Sequence, residues 1–491
     1  MSAVNRREFC RGVGALSAML PLQSFAKKIQ PQRPNIVFVL ADDLGWGDLD
    51  SYNSFSKIPT PNANRLATQG MRWTDMHASA AVCTPSRYSI LTGRYCWRTE
   101  LKKGVLNGYA PDLIEPSRMT VASMLKTEGY YTAGVGKWHL GLGEPPRTDY
   151  TKPLHPSPID NGFDYYFGLQ AMAQPPYLYF ENDHTVEQPT AYTPGYAPGQ
   201  KGLWGSNWKP GAIAPDYDFA QRLPLMTTKA VSIIHDCAAH PKRPFFLYLP
   251  LTGPHKPWQP LPQYKGKSRA GRYGDFVVET DAMLGEVMQA LRETGSADNT
   301  LFIFTSDNGA DWKPQDIAQF EHRANADWRG EKADIWEAGH RIPFIARWPG
   351  HIPPGTVSNE LGSLTDFMAT VAAITGTPLP SNAAEDSFNL LPALLGKKLK
   401  TPIRKTIMDQ SIDGMLTIRE GYWKLEEGLG SGGFSFPKRV EPAPGGPEGQ
   451  LYNLATDPHE LHNVYQEHPE IVNHLSKLLE TYVKQGYTRP M

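Results

Sequence analysis

The run Asn35-Ile36-Val37-Phe38-Val39-Leu40-Ala41-Asp42-Asp43 decides how this chain folds. Residues 35–40 form an almost unbroken β-branched, aliphatic and aromatic stretch, the pattern of a strand buried on both faces of a parallel sheet. It stops on two adjacent carboxylates. Placed side by side at the end of a buried strand, they repel one another and resist ionisation unless a cation compensates them.

The same grammar recurs along the chain. Residues 300–304 predict a strand that runs into Thr305-Ser306-Asp307-Asn308-Gly309. The 3.6-residue periodicity of Val277, Met283, Leu284, Val287, Met288 and Leu291 predicts a helix over 276–294 ahead of it, stopped by Gly295. Residues 131–135 lead to Gly136-Lys137-Trp138-His139-Leu140-Gly141, and residues 245–251 lead to Thr252-Gly253-Pro254-His255-Lys256-Pro257-Trp258. Ligands of open α/β sheets bind outside the carboxyl ends of the strands. Four predicted strands deliver charged or imidazole residues to that edge.

Asp42, Asp43, Asp307 and Asn308 offer only hard oxygen donors, which suit Ca²⁺ or Mg²⁺ rather than a thiolate or imidazole zinc site. An anionic substrate beside three carboxylates needs further positive charge. Arg87, Lys137 and Lys332 are the residues able to supply it. Arg87 closes the pentapeptide Cys83-Thr84-Pro85-Ser86-Arg87, followed by Tyr88-Ser89-Ile90-Leu91-Thr92-Gly93-Arg94. Residues 84–91 predict a helix with Pro85 in its first turn, so that backbone N–H groups point towards a bound anion.

The Cys-x-Pro-x-Arg element and the Asp42-Asp43 and Asp307-Asn308 pairs, with Gly-Lys-Trp-His-Leu-Gly, residues 162–168 and 329–343, and Leu451-Tyr452-Asn453-Leu454, resemble the type I sulfatases. The resemblance spans residues 34 to about 463. It implies an α/β fold: a large mixed, mostly parallel sheet sandwiched by helices, alkaline phosphatase-like, with a smaller C-terminal antiparallel sheet plus helix. It further implies that a formylglycine-generating enzyme oxidises Cys83 to formylglycine (3-oxoalanine), whose hydrated aldehyde is the nucleophile. The metal shell would be Asp42, Asp43, Asp307, Asn308 and residue 83, with Ca²⁺ expected and Mg²⁺ possible by ligand type. Arg87 and Lys137 would stabilise the attacking oxygen. His255 and Lys332 would serve the departing alcohol, and His139 would take the proton whose loss releases sulfate.

One departure from the family stands out: Glu-Gly-Gly-x-Arg is Glu337-Ala338-Gly339-His340-Arg341 here, which questions any left-handed backbone at Ala338. In addition, residues 169–173 carry no hydroxyl of the kind that touches substrate in some relatives. Trp204, Trp208, Trp258, Trp312 and Trp328 suggest a stacking surface for sugar rings, so the expected substrate is a sulfated carbohydrate. Two alternatives are a phosphate or phosphonate ester hydrolase of the same superfamily, and a non-catalytic carbohydrate-binding relative in which Cys83 stays a thiol.

Bulk properties agree with a local anion site. A formal charge of −1 over 491 residues favours neither nucleic acid nor a polyanion groove. Four cysteines are too few for a disulfide scaffold, though Cys96 and Cys237 are open to pairing after export. Residues 1–30 resemble a twin-arginine signal, with Arg6-Arg7-Glu8-Phe9 before an apolar run too short to span a bilayer. An exported, periplasmic or secreted bacterial protein without a membrane anchor is expected. A catalytic domain over 31–400 and a C-terminal α+β subdomain over 401–491 complete the expected organisation, with a late helix at 361–375 and a terminal one at 469–483.

Overall fold

In the computed structural model, residues 33–196 and 207–490 are described. The signal segment, Cys10 and Trp204 lie outside them. Five parallel strands form the centre of the molecule: β1 (Asn35–Ala41), β2 (Tyr131–Lys137), β3 (Tyr165–Leu169), β4 (Phe245–Pro250) and β5 (Thr300–Ser306). Their order across the sheet is β5-β1-β4-β2-β3, and strands that join each margin through antiparallel pairing extend it to ten, the outermost pair on the β5 side, Met71–Trp73 and Thr356–Ser358, being parallel.

The uninterrupted apolar run of β1 is explained by what covers it. Phe38 and its neighbours Phe246 and Tyr248 pack beneath helix α1 (Cys83–Thr92) and a helix at Phe367–Thr375, through Tyr88, Leu91, Phe367 and Met368. On the opposite face Val37, Val39, Leu247 and Phe304 meet Met226 and Ile234 of α2 (Arg222–Ala238) and Leu284 and Met288 of α3 (Gly271–Glu293). Helices therefore cover both faces, and alternation between polar and apolar positions is unnecessary.

A second sheet is antiparallel: Thr406–Gln410, Leu416–Glu420, Trp423–Glu426 and Gln450–Asn453, in that order. The terminal helix, Pro469–Gln485, seats Val472, Leu475 and Leu479 on Met408, Ile418 and Leu425. The late helix starts at Phe367 rather than 361, because Gly362–Ser363 pairs with Met76–His77 as a short strand and Leu364–Asp366 forms a 3₁₀ turn. Gly376, at φ 74°, ends it as expected.

Some expectations need correcting. Trp258 and Trp312 are each 2% exposed and pack on Tyr273, so they belong to the core beneath α3 and present no face to a sugar. Cys96 and Cys237 are free thiols lying in different hydrophobic clusters. No helix among the described residues is long and apolar enough to cross a membrane.

Candidate active site

Strand register builds the site. Ala41 of β1 is paired with Ser306 of β5, so the next residues, Asp42 and Asp307, emerge side by side. Gly309 then lets the chain dive under the Glu337–His340 turn: a Cβ there would lie 1.8 Å from the Ala338 carbonyl oxygen, which no side chain tolerates. Ala338 is itself helical, so its departure from glycine carries no backbone cost.

Asp42, Asp307 and Asn308 are completely buried and Asp43 is 3% exposed. Lys137 Nζ donates to Asp42 Oδ2 at 2.8 Å, and Lys332 Nζ reaches the two Asp43 oxygens at 2.6 and 2.7 Å. Arg87 donates twice to Asp307 Oδ2, from Nε at 3.0 Å and Nη2 at 2.7 Å, and once to the Lys137 carbonyl. Asn308 Nδ2 donates to Asp43 Oδ1 at 2.8 Å. Burial alone would raise Asp42, but Lys137, His255, Arg87 and Lys332 hold it below the usual carboxylate range. Burial and the neighbouring Asp42 carboxylate push Asp307 the other way. Two close carboxylates driven apart in this manner are relieved by a cation between them.

The donor atoms fit a divalent cation. Asp42 Oδ1 and Asn308 Oδ1 are buried without a hydrogen-bond partner, and every first-choice ligand is an oxygen. Cys83 Sγ, a ring nitrogen of His255 and one oxygen each of Asp42 and Asp43 lie within 4.8 Å of one another. Cys83 is the first residue of α1, and Gly93, at φ 65°, ends that helix. Burial would raise the Cys83 thiol, yet Lys137, Lys332 and a hydrogen bond with His255 bring it down to about 6. A thiol held this way sits where negative charge is stabilised.

His139 is held in one tautomer. Its Nε2 faces the Leu106 carbonyl at 2.9 Å and so carries the proton, leaving buried Nδ1 with a free lone pair. Burial, Lys137 and Arg87 keep the ring well below its ordinary pKa, hence neutral. His255 Nδ1 is turned to the Lys256 carbonyl, and Nε2 stands 3.7 Å from Asp43 Oδ2. All ten site residues named from the sequence thus fall in one cluster, buried except for His255, whose side chain is partly exposed.

Sequence reasoning missed the residues that hold this cluster in shape. Thr84 Oγ1 donates to the His139 carbonyl and accepts from Leu106 N, tying together the three segments that set the His139 tautomer. Asp48 accepts from Gly45 N, from Tyr273 and from His322, bracing the turn that keeps Asp43 at φ 67°. Its signal was the third acid of Asp42-Asp43-Leu44-Gly45-Trp46-Gly47-Asp48. Gln170, just past β3, is 2% exposed with both amide atoms unpartnered.

Comparison with known proteins agrees with this geometry. The Sulfatase family model matches residues 34–377. An N-acetylgalactosamine-6-O-sulfatase of Bacteroides thetaiotaomicron is 38% identical, the alignment covering 92% of this chain and 93% of that protein. Human arylsulfatase A is 34% identical over 80% of this chain and 74% of its own length. A solved Bacteroides thetaiotaomicron structure, from work on the metabolism of multiple glycosaminoglycans, superposes with a TM-score of 0.82 at 36% identity. It covers 92% of this chain and all of its own. With the strand-end carboxylates, the buried Cys83 and this agreement in sequence and fold, the chain belongs to the sulfatase family and is a sulfuric ester hydrolase.

Proposed function

We propose that the chain removes sulfate from a sulfated carbohydrate, using residue 83 as nucleophile once a formylglycine-generating enzyme has oxidised Cys83. The observation that carries this reading is the placement of Cys83 at the first position of α1, among Asp42, Asp43 and His255 and under the charge of Lys137 and Lys332. The hydrated aldehyde supplies two geminal hydroxyls on one carbon, one to attack sulfur and one whose deprotonation expels sulfate. Asp42, Asp43, Asp307 and Asn308 would hold a divalent cation, Ca²⁺ by family resemblance, which when bound supplies Lewis acidity at the attacking oxygen.

The chain's own residues do the rest. Arg87 is anchored twice on Asp307, so it contributes charge without needing to reorganise. Lys332 and His255 both stand against Asp43, and in this reading they serve the departing alcohol oxygen with a proton or a positive neighbour. His139, neutral and with Nδ1 free, serves as the base that triggers sulfate release. Export of the mature protein, through residues 1–30, is part of the same reading and fits a substrate found outside the cell.

Several relatives similar to this chain are named N-acetylgalactosamine-6-sulfatases, so that sugar heads the panel to test. Sulfate release by the modified enzyme would be measured on sulfated saccharides, an aryl sulfate and matched phosphate monoesters. Turnover of a saccharide sulfate is expected to exceed that of its phosphate counterpart. Preference for the phosphate ester would favour the phosphohydrolase alternative, and activity confined to aryl sulfates would remove the carbohydrate assignment.

A further inference from the structure

A second buried cluster lies where the C-terminal sheet meets the catalytic domain. It comprises His77, from the segment leading to Cys83, His340, from the turn after Trp336, and Asp409, from Thr406–Gln410. One ligating atom from each lies within 4.8 Å of the others, and none is more than 1% exposed.

The proton positions are fixed by the surroundings. His77 Nε2 is 2.9 Å from Asp75 Oδ1 and 3.5 Å from Arg419 Nη1, which itself donates to the same Asp75 oxygen at 2.9 Å; the closer carboxylate makes Nε2 the protonated nitrogen of that ring. His340 Nε2 is 3.0 Å from the Ile335 carbonyl oxygen. Lys424, 3.2 Å away, has three N–H bonds, matched by the Ile335 carbonyl, Glu337 and Glu460 at 3.1, 3.2 and 2.7 Å. His340 therefore also carries its proton on Nε2. Both Nδ1 atoms are left with lone pairs, and these face each other at 2.9 Å. Asp409 Oδ2 is 3.6 Å from His340 Nδ1, while its Oδ1 is buried without any donor.

Two facing lone pairs and an undonated carboxylate need positive charge between them. A proton shared by the two rings answers the lone pairs but leaves Asp409 to hold a proton of its own, since burial raises its carboxyl to about 8 against the pull of Lys424, Arg404 and Arg419. A single divalent cation facing all three atoms takes the place of both protons.

We propose that His77 Nδ1, His340 Nδ1 and the Asp409 carboxylate form a second cation site, for a divalent ion of borderline softness such as Zn²⁺, separate from the all-oxygen site of the strand ends. Two imidazoles and a carboxylate are the donor set that such ions select over Ca²⁺. Each ring already donates its remote N–H to a carboxylate or a backbone carbonyl, the arrangement that orients metal-bound histidines. Zinc–nitrogen bonds of about 2.0–2.1 Å put two ligand nitrogens roughly 3.3 Å apart, so the rings need open by only a few tenths of an ångström. The ion would clamp the segment before Cys83 to the C-terminal sheet.

The test uses the full chain as Cys83→Ala, which removes the competing thiolate, stripped with chelator and returned to excess Ca²⁺ with Zn²⁺ or Co²⁺. One equivalent of Zn²⁺ is expected by elemental analysis, X-ray absorption should count two imidazoles on it, and the melting temperature should rise. The additional changes His340→Gln and Asp409→Asn should each lose that equivalent while the calcium content stays constant. No zinc uptake, or zinc bearing a single imidazole as His255 would provide, overturns the site. So does equal uptake by the parent and both folded variants. Should a variant fail to fold, the imidazole count on the parent still decides.

Discussion

The two buried ionic clusters of this protein are assembled in opposite ways. The strand-end cluster hangs from parallel strands, and its oxygen ligands come in adjacent pairs, Asp42-Asp43 and Asp307-Asn308. The second is gathered from three distant segments, with Asp75 and His77, Glu337 and His340, and Asp409, Arg419 and Lys424 meeting across the junction of two sheets. In the first, orphaned oxygens are concentrated where a hard cation fits. In the second, nitrogen lone pairs converge. Burial is common to both, and donor chemistry separates them.

The largest effect is expected at residue 83, the proposed nucleophile. Cys83→Ser keeps one hydroxyl but lacks the second, so it should give at most one sulfate transfer per molecule, leaving sulfate on residue 83, and no turnover. Steady release of sulfate by a homogeneous preparation of that variant would break the assignment. His139→Ala should lower kcat by on the order of a hundredfold while leaving KM close to that of the parent. Because burial and the nearby Lys137 and Arg87 hold the His139 pKa below its ordinary value, the base is already neutral at pH 6.5. Its protonation limb in kcat should therefore fall below that pH, and a limb above it would assign the limb to another group.

The second cluster is probed through stability. Lys424 is buried and holds Glu337 and Glu460, so Lys424→Met strands two carboxylates and should cost about 3 kcal/mol in chemical denaturation. A loss under about 1 kcal/mol would show that the layer reorganises freely, unlike the catalytic cluster. The smallest effect is expected at Ala338, buried in the turn that carries His340. Ala338→Gly, which restores the family's usual residue in a helical turn, should destabilise by about 0.5–1 kcal/mol and leave kcat unchanged.

The same contrast explains what could be read in advance. Buried strands ending in paired acids are local patterns, so β1, β5 and their carboxylates were visible as soon as residues 35–43 and 300–309 were read. Arg87, Lys137, His255 and Lys332 followed from motif and resemblance. Thr84 stood inside the Cys83 pentapeptide, but its task depends on Leu106 and His139 arriving beside it, which no spacing announces. Trp258 and Trp312 misled for the same reason: an aromatic residue in a polar loop looks like a sugar platform until Tyr273 closes over it. His77 and His340, 263 residues apart, have no pattern to share.

The burial of the Cys83 segment also sets an order of events. Cys83 is 3% exposed, Thr84, Ser86 and Arg87 are fully enclosed, and Pro85 is buried with them in the first turn of α1. A catalyst the size of a protein reaches such a segment only while it is still extended. The proposed oxidation therefore competes with folding, and a molecule that wins the race to fold first is locked into its thiol form. Activity per milligram would then record how long the segment stayed open during synthesis, and unfolding a silent preparation in the presence of the modifying enzyme is the step that should bring it to life.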